Sequence, residues 1–474
     1  MAQKYKDEFL KWDLKTLSNG IRTKEISPLE VTRHLLKRIE AVNPKLNAFI
    51  TVLYEEALES ASQAETEIVT GNWRGPLHGI PIGLKDLICT TNIKTTMGSQ
   101  IYKDFVPDYD AAVVENMKRA GAVIIGKLNT HQFAYGPTGD RSYFGAVKNP
   151  HDLTKMSGGS SSGSGAAVSA GLCYAALGTD TGGSIRIPSA CCGIVGMKPT
   201  FGRVSKYGVY PLSYTLDHVG PMTRTVFDNA VLLNVLAGHD ERDPYSVRKE
   251  EEDFTRVIWK GIKGSVIGVP SSFFFENLEP EVESKIRKAL EVFEGLGAEI
   301  RMVDLPDMQK ISLVQQITIR SESYAVHRET LLIYSELYDI EVRERLLLGE
   351  DIKAYEYVQS QQIKHFAQRE FLKILENVDV LVTPTLPILP PDINQREVYI
   401  KGNCEHVRDA LLRLTSPSNF TGFPSISIPC GFSEAGLPIG MQIIGRPFDE
   451  ANLYRFAYAF EQEVSIPTLK YDVN

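Results

Sequence analysis

The 474-residue chain is 43% hydrophobic and 23% charged, a balance that supports a large folded core and excludes a disordered or fibrous chain. Its formal net charge of −8 leaves no basic surplus for a phosphate backbone, so no direct nucleic-acid binding is expected. Six cysteines without a Cys-x-x-Cys pair, two of them adjacent at Cys191 and Cys192, and histidines without metal-ligand spacing argue against a zinc site or a disulfide scaffold, and no metal is expected.

Met1 to Gly20 scatters Lys, Asp and Glu and lacks the apolar centre of a signal peptide. No uninterrupted apolar run reaches bilayer length, so a cytoplasmic protein without membrane contact is expected. Ser27-Pro28-Leu29-Glu30 predicts a helix start, with Ser27 as cap, Pro28 in the first turn and Glu30 closing a capping box. Val31, Leu35, Ile39 and Val42 share one face, and Asn43-Pro44 is expected to stop that helix. A second helix is expected over 55–68. Further on, a helix over 111–120 leads to a strand at Val123-Ile124-Ile125, and a short turn over 187–193 leads to Ile194-Val195. The charged run Asp240 to Asp253 reads as a solvated loop. A strand over 265–269 feeds a helix over 281–296, which Gly297 ends as a left-handed cap. Residues 378–382, 425–429 and 439–444 read as late strands, and 449–463 as a final helix. Alternating strands and helices imply an α/β chain whose sheet is sheltered on both faces. No flexible linker divides it, so residues 1–474 read as one large domain.

Two segments carry the chemistry: Gly158-Gly159-Ser160-Ser161-Ser162-Gly163-Ser164-Gly165 and Asp180-Thr181-Gly182-Gly183-Ser184-Ile185-Arg186. Each sets a serine among glycines, where backbone N–H groups can converge. As a linker the first makes little sense, because it runs directly into the small-residue helical stretch Ala166-Ala167-Val168-Ser169-Ala170. A phosphate-binding nest is a rival, yet no Lys follows the last Gly as in a Walker A loop, and Val168 breaks the Rossmann fingerprint. Gly159-Ser160-Ser161-Ser162-Gly163 matches the nucleophile elbow Gly-x-Ser-x-Gly, but polar, turn-like residues 149–156 precede it instead of a strand. Ser246-Val247-Arg248-Lys249 sits in the charged loop, where its lysine stays protonated. His78 and His131 lie nearest the motifs and read as structural hydrogen-bonders.

With Gly75-Pro76-Leu77-His78-Gly79-Ile80-Pro81 before Leu84-Lys85-Asp86, and with Gly196-Met197-Lys198-Pro199-Thr200, these segments resemble the amidase signature family of serine hydrolases. The spacing agrees, with 75 residues from Lys85 to Ser160 and 24 from Ser160 to Ser184. The likeness covers about Ser27 to Arg224 and Pro417 to Arg446. It implies one domain with a central mixed, twisted sheet, divided into a helical segment over 1–70, a catalytic core over 71–230 and a divergent specificity region over 240–405. It also implies that Ser184 is the nucleophile, that Ser160, after a cis Gly159–Ser160 bond, is a bridging serine, and that Lys85 is the base. No cofactor is implied. Thr181, Gly182 and Gly183, with Ser184, would form the oxyanion hole, with Ser161, Asp180 and Arg186 in support. The family usually has Gly where Ser162 stands.

These residue types suit that chemistry. A serine hydroxyl becomes nucleophilic only when a neighbour takes its proton. Lysine does so only when neutral, so its pKa must fall by about three units from about 10.4, a cost of roughly 4 kcal/mol that burial can impose. Asp86 must then point away from the Lys85 amine.

The implied substrate is a small-molecule amide, and homodimers occur in the family. The family spans free-standing amidases and the glutamine-hydrolysing A subunit of glutamyl-tRNA(Gln) amidotransferase, which works with partner subunits. Gly202-Arg203-Val204-Ser205-Lys206-Tyr207-Gly208 and Gly440-Met441-Gln442-Ile443-Ile444-Gly445 resemble that protein. Ile187 replaces its usual Gln, and Leu412-Arg413-Leu414-Thr415-Ser416 lacks the Asp that holds glutamine's ammonium. A free-standing amidase is therefore expected. Phe273-Phe274-Phe275, Tyr135 and Phe144 are candidates for an acyl pocket, roofed by 315–364.

Overall fold

The computed structural model describes residues 12–250, 252–464 and 466. After α1 (Leu14–Arg22), Ser27 starts α2 (Pro28–Leu46) as its sequence requires, its Oγ accepting the Glu30 N–H at 3.1 Å. The helix does not stop at Asn43. Pro44 is carried inside the last turn, where the N–H it lacks would have faced the carbonyl of exposed Glu40, a group water can serve. Asn47 ends the helix in the left-handed conformation (φ 58°). Asn43 instead pairs with the Phe49 backbone at 2.8 and 3.2 Å and aims the chain into β1 (Phe49–Val52). Segment 1–70 is thus not wholly helical: β1 precedes α3 (Tyr54–Val69).

The next stretch holds β2 (Pro81–Lys85), α4 (Ala112–Arg119), β3 (Val123–Leu128) and the hairpin β4 (Lys148–Asn149) and β5 (Asp152–Met156). Then come α5 (Ser162–Ser169), β6 (Ala175–Asp180), α6 (Arg186–Cys192), β7 (Val195–Lys198), β8 (His218–Thr223) and α7 (Val226–Leu236). The stretch expected as a turn before Ile194 is the helix α6. Residues 240–405 supply β9 (Val266–Pro270), α8 (Pro280–Gly295), β10 (Glu299–Val303), α9 (Met308–Tyr334), α10 (Ile340–Leu347), α11 (Ala354–Leu375), β11 (Val380–Pro384) and β12 (Glu397–Ile400). The chain closes with β13 (Asn403–His406), α12 (Val407–Arg413), α13 (Ser416–Thr421), β14 (Ser425–Phe432), β15 (Pro438–Ile444) and α14 (Glu450–Glu463).

Eleven strands form one sheet in the order β1-β3-β2-β6-β8-β7-β14-β15-β11-β9-β10. It is mixed: β2 runs parallel to β3 and β6, and β9 parallel to β10 and β11, while the other pairs are antiparallel. Helices flank this single domain. Because β9, β10 and β11 join that sheet, the divergent region is built into the core instead of standing apart from it.

The site owes its position to β2 and β6. Both are buried along their whole length, as apolar runs such as Ile80-Pro81-Ile82-Gly83-Leu84 demand. They lie side by side in parallel, Ile82 opposite Ala175 and Leu84 opposite Leu177, so their carboxyl ends, Lys85 and Asp180, emerge on one edge. The Gly/Ser run enters α5 beside them and is buried from Gly158 to Gly165. A Cβ at Gly163 would lie 2.3 Å from the Ala48 carbonyl oxygen and 2.5 Å from Asn129 N, so only glycine lets α5 dock there.

Candidate active site

Lys85 is fully buried, and its Nζ lies 2.7 Å from Ser160 Oγ and 2.7 Å from Thr179 Oγ1. Burial pushes its amine down to about 7, against the pull of the Asp180 and Asp217 carboxylates. Asp86 does not take part. Its Oδ2 accepts the Thr96 N–H at 2.9 Å and the Thr96 hydroxyl, and its Oδ1 stands 3.7 Å from Lys127 Nζ. That second buried lysine also donates to the Ile88 carbonyl at 2.6 Å and to Thr95 Oγ1 at 2.7 Å. The carboxylate nearest to Lys85 in sequence is therefore spent elsewhere.

The Gly159–Ser160 peptide is cis. Behind it packs the turn that follows Tyr135: a Cβ at Gly159 would meet Gly139 N at 2.7 Å and the Gly136 carbonyl oxygen at 3.0 Å. The Ser160 carbonyl accepts the His131 N–H at 3.1 Å and the Thr130 hydroxyl at 3.0 Å. Ser161 ties this run to both neighbours, its hydroxyl donating to the Thr179 carbonyl at 3.1 Å and its N–H to the Ser184 carbonyl at 3.2 Å. The Ser162 hydroxyl reaches the Asn129 carbonyl at 3.3 Å.

Asp180 and Arg186 hold the second motif. Both are fully buried, with Arg186 Nη2 3.0 Å from Asp180 Oδ1 and Nε 3.1 Å from Oδ2. Burial alone would raise the Asp180 carboxyl; the Arg186 guanidinium overrides it and holds the group well below the usual carboxylate range. The same carboxylate accepts the N–H groups of Gly183 at 2.8 Å and Ile185 at 3.0 Å, which folds the turn around it. This corrects one expectation. The Gly183 N–H serves Asp180 and not an oxyanion, and Gly183 is required for shape: its φ is +139°, and a Cβ would fall 2.2 Å from Thr415 Oγ1. The N–H groups of Thr181, Gly182 and Ser184 have no acceptor among the described residues. The Ser184 hydroxyl likewise makes no hydrogen bond there, although its residue is only 6% exposed.

A cavity of about 270 Å³ adjoins this edge. Thr179, Thr181, Asp217 and the aromatic rings of Tyr207, Tyr210 and Tyr245 are among its walls. Sequence reading missed these tyrosines because nothing in their spacing marks them. The Asp240–Asp253 loop contributes too: Asp243 is 5% exposed and accepts the Lys206 N–H at 2.8 Å, which folds the loop back instead of leaving it wholly solvated. The aromatic residues expected at a pocket do not line this cavity. Phe274 is core, Phe144 meets Tyr143 edge to face, and Tyr135 is buried beneath Arg345, whose guanidinium carbon sits 5.3 Å from its ring centroid. His78 and His131 are structural, their Nδ1 atoms accepting the Arg74 and Gly139 N–H groups.

A buried amine on a serine, beside a glycine turn braced by an ion pair, defines the class of protein, and the sequence agrees. The chain matches the Amidase family over residues 30–454 and belongs to it. The A subunit of the glutamyl-tRNA(Gln) amidotransferase from Geobacter sp. (strain M21) is 42% identical over 472 residues, covering 94% of this chain and 96% of that protein. Among solved structures, one described as an unexpected vestigial protein complex that reveals the origins of an s-triazine catabolic enzyme superposes with a TM-score of 0.93 at 30% identity, covering 97% of this chain and 100% of that one. A bacterial aryl acylamidase of the amidase signature family superposes at 0.88, again at 30% identity, covering 95% and 96%. The chain is an amidase, an enzyme acting on amide C–N bonds.

Proposed function

We propose that the chain is a serine amidohydrolase working through an acyl-enzyme, with Ser184 as nucleophile, Ser160 as relay and Lys85 as base. One observation carries this reading: an amine pushed down to about 7 by burial, in hydrogen-bond contact with a serine hydroxyl. Ser184 Oγ forms a bond to the carbonyl carbon while its proton passes to Ser160 and the Ser160 proton to Lys85. The free N–H groups of Thr181, Gly182 and Ser184 stabilise the oxyanion. The proton returns along the same path to the leaving nitrogen, the C–N bond breaks, and water repeats the sequence on the ester. Labelling with a fluorophosphonate tests the assignment: Ser184→Ala should abolish both labelling and hydrolysis, and intact labelling of that variant refutes it.

The substrate read from the surroundings is an amide whose acyl part bears a carboxylate. Arg345 donates to the Tyr135 carbonyl, just before the turn that backs Gly159. Arg408 lies one helical turn before Leu412, whose Cδ2 is the first atom a Cβ on Gly182 would meet, at 3.2 Å. Burial and the charge of Arg408 push the Arg345 guanidinium down to about 10, still a cation at neutral pH. The Tyr135 hydroxyl and Arg408 Nε are buried without a partner among the described residues. Two arginines whose charges act on one another, one of them lying over the Tyr135 ring, suit a substrate carboxylate.

Apolar Leu412 and Ile187 on either side of the glycine turn favour a free-standing amidase, since a substrate ammonium finds no carboxylate in Leu412–Ser416. A second reading, a glutamine-hydrolysing component that needs partner subunits, is favoured by the name and the 42% identity of the Geobacter relative. Comparing kcat/KM for a dicarboxylic acid monoamide, glutamine and an uncharged anilide separates them. The first reading expects the monoamide to lead, with Arg345→Met raising its KM at least about 10-fold and sparing the anilide. Glutamine turnover that appears only with partner subunits establishes the second.

A further inference from the structure

Thr181 opens the glycine turn, and its side chain does not hang free. Its Oγ1 donates to Asp217 Oδ1 at 2.6 Å, while Asp217 Oδ2 accepts the N–H groups of Leu212 at 2.9 Å and Ser213 at 3.0 Å. Burial raises the Asp217 carboxyl, and these three donors together with the nearby Lys206 charge work against it, toward the ionised, acceptor-only form. Asp217 sits on the wall of the 270 Å³ cavity, and so does Thr179, whose hydroxyl touches Lys85. The carboxylate therefore bonds the turn and shares the cavity wall with the threonine that contacts the base.

Resting on the Ser184–Ser160–Lys85 reading, we propose that Asp217 is a positioning residue for amide hydrolysis, fixing the Thr181 end of the oxyanion turn and acting on the Lys85 amine through space. The two roles are separable. The hydrogen bond orients Thr181 and, with it, the N–H groups that must point at one oxygen. The charge favours the ammonium form of Lys85, so it opposes the effect of burial. Asp180 acts on Lys85 in the same sense, but Arg186 bonds to it directly. Among the described residues Asp217 has no bonded cation: Lys206 lines the same cavity but gives its Nζ to the Tyr214 carbonyl at 2.8 Å. The other titratable groups on that wall include His218, Asp243 and Tyr210, and Asp86 is turned toward Lys127.

The test is the pH dependence of fluorophosphonate labelling and of kcat in the full-length enzyme. Asp217→Asn removes the charge at constant size. Its acidic limb should move down by about 0.5–1.5 pH units, and its plateau kcat should fall about 10-fold with little change in KM. Thr181→Val should reproduce the fall in kcat and leave the limb in place, while Asp217→Glu should keep the limb and lose rate. An unmoved limb in Asp217→Asn, or a plateau kcat within about twofold of the parent, overturns the proposal. Should Asp217→Asn fail to fold, Thr181→Val with parental kcat, or Asp217→Glu with a displaced limb, overturns it equally. An acidic limb that survives Lys85→Arg marks failure of the underlying catalytic reading instead.

Discussion

Raising the pH from 5 to 9 should switch the enzyme on through one ionisation near pH 7. The reacting form of Lys85 is its neutral amine, and burial brings that group from 10.5 to about 7. Half of the molecules then hold a neutral base at pH 7, against roughly one in three thousand for a lysine at its ordinary value. The difference is about 5 kcal/mol set against the charged form. Because the folded value is depressed, the ammonium predominates below it, so activity falls tenfold per pH unit under about pH 6 and levels off above about pH 8. The assay is the second-order rate of Ser184 labelling by a fluorophosphonate, measured beside kcat/KM across that range. Lys85→Arg, charged throughout, should lose the limb and at least about a thousandfold in rate. A limb centred near 9 or 10 refutes the reasoning, because it describes a solvated lysine that burial has not touched.

Two other outcomes follow from packing. Gly159→Ala drives a Cβ to 2.7 Å from Gly139 N and 3.0 Å from the Gly136 carbonyl oxygen, both backbone atoms that cannot swing aside. It should cost about 1–3 kcal/mol and, by displacing Ser160, about a hundredfold in kcat, read by melting and steady-state kinetics; parental kcat refutes the tight backing. Lys127→Met leaves the Asp86 carboxylate buried without its cation, which should cost about 3–5 kcal/mol, or roughly 3–5 °C in a chain of this length, by calorimetry. An unchanged melting temperature shows that the pair contributes nothing.

Much of this architecture is legible in the residues. The face set by Val31, Leu35, Ile39 and Val42 fixes α2, and the apolar runs at Val123 and Ile426 become buried strands because only the sheet interior can take them. Local rules failed where a distant partner decided the outcome. Pro44 stays helical because Asn43 is fastened to Phe49 and Glu40 faces water, neither of which a breaker rule includes. Gly183 reads as an oxyanion donor until Asp180, three residues back in sequence, is found to accept its N–H. The tyrosines at 207, 210 and 245 become a cavity wall only after Asp243 folds its loop against Lys206. Charge periodicity alone assigns that loop to solvent. Lys85, Ser160 and Ser184 stand out because glycine and small residues concentrate wherever backbones must approach closely; their mutual distances come from strand order, which no periodicity encodes.

The Arg186 guanidinium reaches far along the polypeptide. Besides Asp180 it binds the Thr415 carbonyl at 2.9 Å, Ser418 Oγ at 2.6 Å, Asn419 Oδ1 at 2.7 Å and Gln442 Oε1 at 3.1 Å. A fragment cut after residue 230 would keep every reactive side chain and strip that arginine of four of its acceptors. Minimal versions of this catalyst therefore cannot be made by trimming from the carboxyl end, and an insertion between the halves is safer than a deletion beyond them.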